Sequence, residues 1–180
     1  MRSFLSGLFR SGPKQNYTVA DVYSGLRKTL FETKPETIGI KATDSISVWA
    51  VVMETGYPTA VATLVAVADG TVSIYFSNGG GVIGLGPHAG PRRASESLLQ
   101  AAPDFLPLLK LTSDILLPSP SFTRFFLLTN KGTFAAEARE KDLGEGNHAL
   151  SGLFHKAQEL LTEVRLVEQQ RSANKAPQGK

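Results

Sequence analysis

Residues 46–77, ISVWAVVMETGYPTAVATLVAVADGTVSIYFS, decide the fold class. Residues 46–53 and 60–67 are short runs rich in β-branched and other apolar side chains, and both read as strands. Between them Glu54, Thr55, Gly56, Tyr57 and Pro58 read as a turn, with Gly56 free to take a positive φ. Ala68, Asp69, Gly70 and Thr71 carry an Asp-Gly hairpin signal. Val72, Ile74 and Phe76 then alternate with Ser73, Tyr75 and Ser77, so the third strand has one apolar face. Connections this short cannot cross over a sheet, and the three strands form an antiparallel meander.

Upstream, the spacing predicts a helix over 18–33. Thr18 is a good N-cap, with Asp21 three residues on. Val19, Val22, Tyr23, Leu26 and Leu30 recur at helical spacing, and Lys34-Pro35 ends the run. Downstream, a second helix starts near Pro91 and carries Ala94, Leu98, Leu99 and Ala102 on one side. Pro103 interrupts it, and a further helical turn or two is expected over 105–111. A proline-punctuated connection, 115–120, leads to a second hairpin, 122–129 and 132–138, around Asn130, Lys131 and Gly132. Residues 143–147 read as a loop. A final helix over 149–171 has a broad apolar stripe: Leu150, Leu153, Phe154, Ala157, Leu160, Leu161 and Val164.

The resulting order is α-β-β-β-α-β-β-α. Strands come in runs rather than alternating with helices, so the class is α+β, expected as a five-stranded antiparallel sheet with helices on one face. The breadth of the final stripe leaves room for a partner subunit, which makes Phe154 and Leu161 interface candidates.

The 180 residues suit a single domain, taken here as 16–171, and 42% hydrophobic content is enough for a core without staples. The chain has no cysteine, which removes disulfides, thiolate zinc sites and a thiol nucleophile together. A cytoplasmic location is expected, with no membrane span, because no apolar run approaches about 18 residues. Residues 1–15 form a basic N-terminal segment expected to be flexible, with Arg2, Arg10 and Lys14 and no acid. Residues 172–180 are expected to be a disordered tail, and the stretch 171–180 holds Arg171, Lys175 and Lys180 and no acid. The body is left with 13 bases against 16 acids. Nucleic-acid binding normally concentrates base on a folded face, so no nucleic-acid partner is expected. Weak contact of the tails with anionic surfaces fits the distribution.

In the N-terminal segment Phe4, Leu5, Leu8 and Phe9 line one face of a short helix flanked by Arg2 and Arg10. Phe4 and Leu8 are therefore further interface candidates, for a partner's groove, a membrane surface or the chain's own body.

The sharpest local motif is Gly79-x-Gly81-x-x-Gly84, a literal match to the dinucleotide fingerprint. Its context fails, because the preceding strand belongs to a meander and the helix is delayed to Pro91. A simpler anion site is conceivable: backbone N–H groups of Asn78, Gly79, Gly80 and Gly81, with Arg92 and Arg93 at the start of the second helix. That gives a small-ligand or phosphate-binding reading of 78–86. The three histidines, His88, His148 and His155, have no metal-ligand spacing, so neither a metal nor another cofactor is called for. His148 reads as a neighbour of a helix cap or a surface residue. Glu54 and Tyr57 read as a hairpin tip, Trp49 as core, and Tyr75 as a candidate for an exposed face. No G-x-S-x-G elbow or converging acid–base set is found, so catalysis is not expected.

Two resemblances add to this. The segments 48–58 (VWAVVMETGYP), 62–66 (ATLVA), 69–71 (DGT), 75–81 (YFSNGGG), 126–129 (FLLT) and 142–146 (DLGEG) resemble an uncharacterised family of small bacterial proteins. That similarity implies a bacterial, cytoplasmic protein and no particular activity. The order of elements is similar to the type III secretion chaperone-like fold, whose members are small homodimers that hold an unfolded segment of a partner. Profilin-like and roadblock-like interaction domains use related orders. Together they imply a non-catalytic, homodimeric protein-interaction or chaperone-like module.

Overall fold

The computed structural model describes residues 17–41 and 44–175. Phe4 and Leu8 lie outside them. Seven strands form one antiparallel sheet: β1 (Val48–Gly56), β2 (Val61–Val67), β3 (Val72–Phe76), β4 (Gly81–Val82), β5 (Lys110–Leu111), β6 (Phe122–Thr129) and β7 (Gly132–Arg139). Their spatial order is β4-β3-β2-β1-β6-β7-β5. The meander and the second hairpin are present as the sequence predicts. The expectation of five strands is corrected by β4 and β5, two-residue edge strands too short to leave a pattern.

Four helices cover the sheet: α1 (Asp21–Glu32), α2 (Ala89–Phe105), α3 (Glu140–Gly144) and α4 (Ser151–Lys175). They do not all lie on one face. Successive strand side chains point to opposite sides, and here both sides are apolar. Val51, Met53, Leu64, Ala66, Phe125 and Leu127 join Leu98 of α2, Leu143 of α3 and Leu153 and Leu160 of α4 in one core. Val52, Val65, Val67, Phe126 and Leu128 join Tyr23 of α1 in a second, smaller core. The central strand is buried on both faces, which is why residues 48–53 read as a nearly unbroken apolar run.

A bulge marks the start of β1. Val48 faces Thr129 and Ala50 faces Leu128, so the register slips between them. Trp49 and Ala50 consequently enter the same core, under α1. The turn expected at 54–58 also moves. β1 continues through Gly56, and the reversal is closed by the Tyr57 N–H donating to Ala60 O at 2.8 Å. Gly56 is needed for close approach rather than for a positive φ: a Cβ there would press into the backbone of Pro118 and Ser119.

Helix boundaries show smaller differences. The residue that caps α1 is Ala20 rather than Thr18, and it makes no side-chain cap bond. α2 runs on through Pro103, which forfeits only one backbone bond near the helix end, and a 3-10 turn at Leu106–Leu108 replaces the expected extra helix. The predicted loop at 143 overlaps α3. α4 continues past Arg171 to Lys175. Its stripe is absorbed by α2 and the sheet together, so Phe154 is buried in the core, whereas Leu161 is half-buried.

Candidate functional site

Beneath α1 lies a polar cluster inside an apolar layer. Tyr23 and Arg27, one helical turn apart, both face the sheet. Glu54, fully buried on the central strand, receives Arg27 Nε at 2.7 Å on Oε1 and Nη2 at 3.0 Å on Oε2. Arg27 Nη2 also donates to the carbonyl of Ile115. The Tyr23 and Thr63 hydroxyls are 2.8 Å apart, and each lies 3.4 Å from Glu54 Oε1. The guanidinium carbon sits 4.9 Å from the centre of the Phe31 ring.

This environment shifts the titration of Tyr23, Tyr75 and Arg27. Burial, reinforced by the Glu54 charge, raises the Tyr23 phenol far above its ordinary value, against the opposing pull of Thr63 and Arg27. Burial and Glu54 raise Tyr75 as well. For Arg27, burial by itself lowers the pKa, but the bonds and charge of Glu54 outweigh it and the net shift is upward. Each carboxylate oxygen of Glu54 accepts from the Arg27 guanidinium, which pairs the buried charge with a cation. The cluster is a clamp between α1 and β1.

The sequence alone does not reveal it, because Glu54 reads as part of a hairpin tip. The available signals were an acid following six largely apolar strand residues, and an arginine four residues after a tyrosine on a helix whose apolar face points inward.

One helix cannot cover five long strands, and grooves flank α1. One, of about 210 Å3, is lined by Leu26, Leu30, Trp49, Val65, Val67 and Tyr75. A neighbouring one, of about 190 Å3, runs past Val22, Tyr23 and Tyr75 to Phe76, Gly80, Gly81 and Ile83. Val22 and Ile83 on the rim are 61% and 63% exposed. Tyr75 is buried in this layer rather than exposed. On the opposite face a larger groove, about 410 Å3, opens between α4 and the β3–β4 edge. Its floor includes Ala62, Ile74 and Val82, its wall Leu161 and Val164, and its rim Tyr57, Phe76, Arg165 and Glu168.

The structure does not bring the predicted anion-site residues together. Asn78, Gly79 and Gly80 form the β3–β4 turn, in which the Gly79 N–H donates to Phe76 O at 3.0 Å and Gly80 O accepts from the Phe76 N–H at 3.1 Å. Gly81 is already paired with Tyr75. Arg92 instead lines a cleft with Asp69, Gly70 and Glu96, at the other end of β3 and so about 16 Å away along the strand. Arg93 is exposed beside it. The motif's glycines serve backbone geometry, since Gly79, Gly80, Gly81 and Gly84 all have positive φ.

His148 is the cap neighbour expected: its Nδ1 accepts from the Leu150 N–H at 3.1 Å, and its own N–H donates to Ser151 Oγ at 3.2 Å. His88 contacts Arg171 at 2.9 Å, and His155 lies 3.3 Å from Gly144 O. Among the described residues no group of three or more His, Asp or Glu could hold a metal ion, and no helix is long and apolar enough to cross a membrane. Compared with models of protein families, with curated proteins and with solved structures, the chain matches none.

Proposed function

We propose that this chain is a non-catalytic interaction module that works as a homodimer, and that the groove between α4 and the β3–β4 edge is its contact surface. The carrying observation is the composition of that groove: a largely apolar floor and wall, with Arg165 and Glu168 on its rim three residues apart on one helix face. Closed dimers use the same patch twice, so the patch must complement itself. Two α4 helices laid antiparallel about a two-fold axis midway between these residues bring each Arg165 to the partner copy's Glu168. Arg165 forms no ion pair among the described residues, and Glu168 shares only an i,i+3 contact with Arg171, at 3.0 Å. Tyr57, 43% exposed, and Phe76, 37% exposed, supply the aromatic surface that interface centres favour. The pairing of the buried Glu54 with Arg27, which ties α1 to β1, supports a structural rather than a catalytic role for that cluster.

The test is solution mass by light scattering on the full chain. Wild type should have the mass of two chains. Arg165→Glu and Glu168→Arg, each placing like charges opposite one another, should shift it toward one. The double variant restores opposite charges and should restore the dimer. A monomeric wild type, or a dimer indifferent to both single reversals, would refute the proposal.

A further inference from the structure

We propose that the groove between α1 and strand β3 is the docking site of the chain's own residues 4–9, so that Phe4, Leu5, Leu8 and Phe9 cover the apolar surface that α1 leaves open. This goes beyond the dimer reading and uses the opposite face of the sheet.

The surface is continuous. The two hollows on the β3 side of α1 share Leu26, Tyr75 and Ile83, so they form one trough along the helix. Its rim is apolar and uncovered: Val22, Leu26 and Ile83 are 61%, 37% and 63% exposed. Taking such side chains out of water is favourable.

The place where the chain enters selects the occupant. The Ala20 N–H donates to Ser77 O at 2.8 Å, which fixes the start of α1 at the end of β3, next to Phe76 in the trough. Residues 1–16 precede the described part of the chain at this point. The stretch 10–16, between Phe9 and Tyr17, spans up to about 26 Å when extended. The far part of the trough, at Leu30, lies only about 15 Å along α1 from Ala20. Residues 4–9 therefore reach all of it. So short a tether sets an effective concentration in the millimolar range, at which modest apolar contact is enough for docking.

Charge favours this side of the helix. Residues 1–16 carry Arg2, Arg10 and Lys14 and no acid. The one charged side chain lining the trough is Asp69. Across α1, the other hollow is lined by Arg27 and Lys28 as well as Glu32, and the groove on the opposite face of the sheet carries Arg165 with Glu168. An apolar segment flanked only by bases matches the trough best.

The chain has no cysteine, so Ser6→Cys gives the full-length protein a single attachment point for a nitroxide, away from the four apolar positions. Proton–nitrogen spectra of the 15N-labelled chain are compared with the nitroxide oxidised and reduced. The amides of Leu26, Tyr75 and Ile83 should lose most of their intensity in the oxidised state and recover it on reduction. Leu117, across α1, and Val164, on the opposite face, should lose less. Phe4→Ser/Leu8→Ser should abolish the pattern. So should Val22→Lys/Ile83→Lys, placed at two exposed positions that folding does not depend on. Unlabelled 15N chains mixed with nitroxide-bearing 14N chains should show the loss weakly or not at all, because the contact lies within one chain. A maximum at Leu117 or Val164, a loss confined to residues 17–20, a pattern that survives either pair of substitutions, or an equal loss in the mixture would overturn the proposal.

Discussion

Arg27 grips Glu54 with two nitrogens at 2.7 and 3.0 Å, and in doing so ties α1 to the middle strand of the sheet. The carboxylate is wholly buried and the arginine side chain only 11% exposed, so neither charge is compensated by solvent. Arg27→Met would strand the Glu54 charge with two hydroxyls at 3.4 Å. Such orphaned charges cost about 3–5 kcal/mol. The double variant Arg27→Met/Glu54→Met removes both charges and should recover most of that loss. Urea unfolding of the four proteins of this cycle measures the coupling.

The two buried phenols make stability depend on alkaline pH. Tyr23 and Tyr75 hold their protons harder folded than unfolded, by burial first and the Glu54 charge second. The unfolded phenols ionise near pH 10. Stability is fully present below that pH. Above it the unfolded chain has lost protons that the folded chain still keeps, so stability falls as pH rises. Each such tyrosine contributes about 1.4 kcal/mol per pH unit. Tyr75→Phe should flatten the alkaline decline by that amount, as read from denaturant midpoints between about pH 9 and 12.

Adjacent glycines in the β3–β4 turn should respond very differently to alanine. Gly80, at φ +84°, has nothing within 4 Å of a Cβ position, so Gly80→Ala costs only the left-handed penalty of about 1–2 kcal/mol. Gly81, at φ +140°, would set its Cβ 2.5 Å from Ile74 O and 2.6 Å from the Tyr75 Cα. Gly81→Ala must push β4 off the edge and should lower the thermal midpoint by at least twice as much.

The sequence made the five long strands and three long helices legible because each carries its own period or turn chemistry. What it hid depended on distant partners. Val22 and Leu26 share the apolar spacing of Tyr23 and Leu30, yet they stand 61% and 37% exposed while Tyr23 is buried, because one helix presents only part of its stripe to a sheet. Glu54 looked like a loop acid until Arg27, Tyr23 and Thr63 were brought to it from two other elements. Gly56 looked like a turn glycine until Pro118 and Ser119, more than sixty positions away, crossed its strand. The bulge at Trp49 arises from pairing with Thr129 and Leu128, and no local pattern announces it. Arg92 and Gly80 are twelve positions apart in the chain, but β3 holds their neighbourhoods apart, which linear spacing could not convey.

The two faces of the sheet are roofed unequally, by three helices on one side and one on the other. Backbone amides of the central strands and of α2 and α4 are expected to exchange with solvent only when the larger core opens. α1 rests on the smaller core and one ion pair, so its amides are expected to exchange sooner than those of α2 and α4. The two roofs are therefore expected to differ in how readily they open, and the Trp49 indole sits beneath the lighter one.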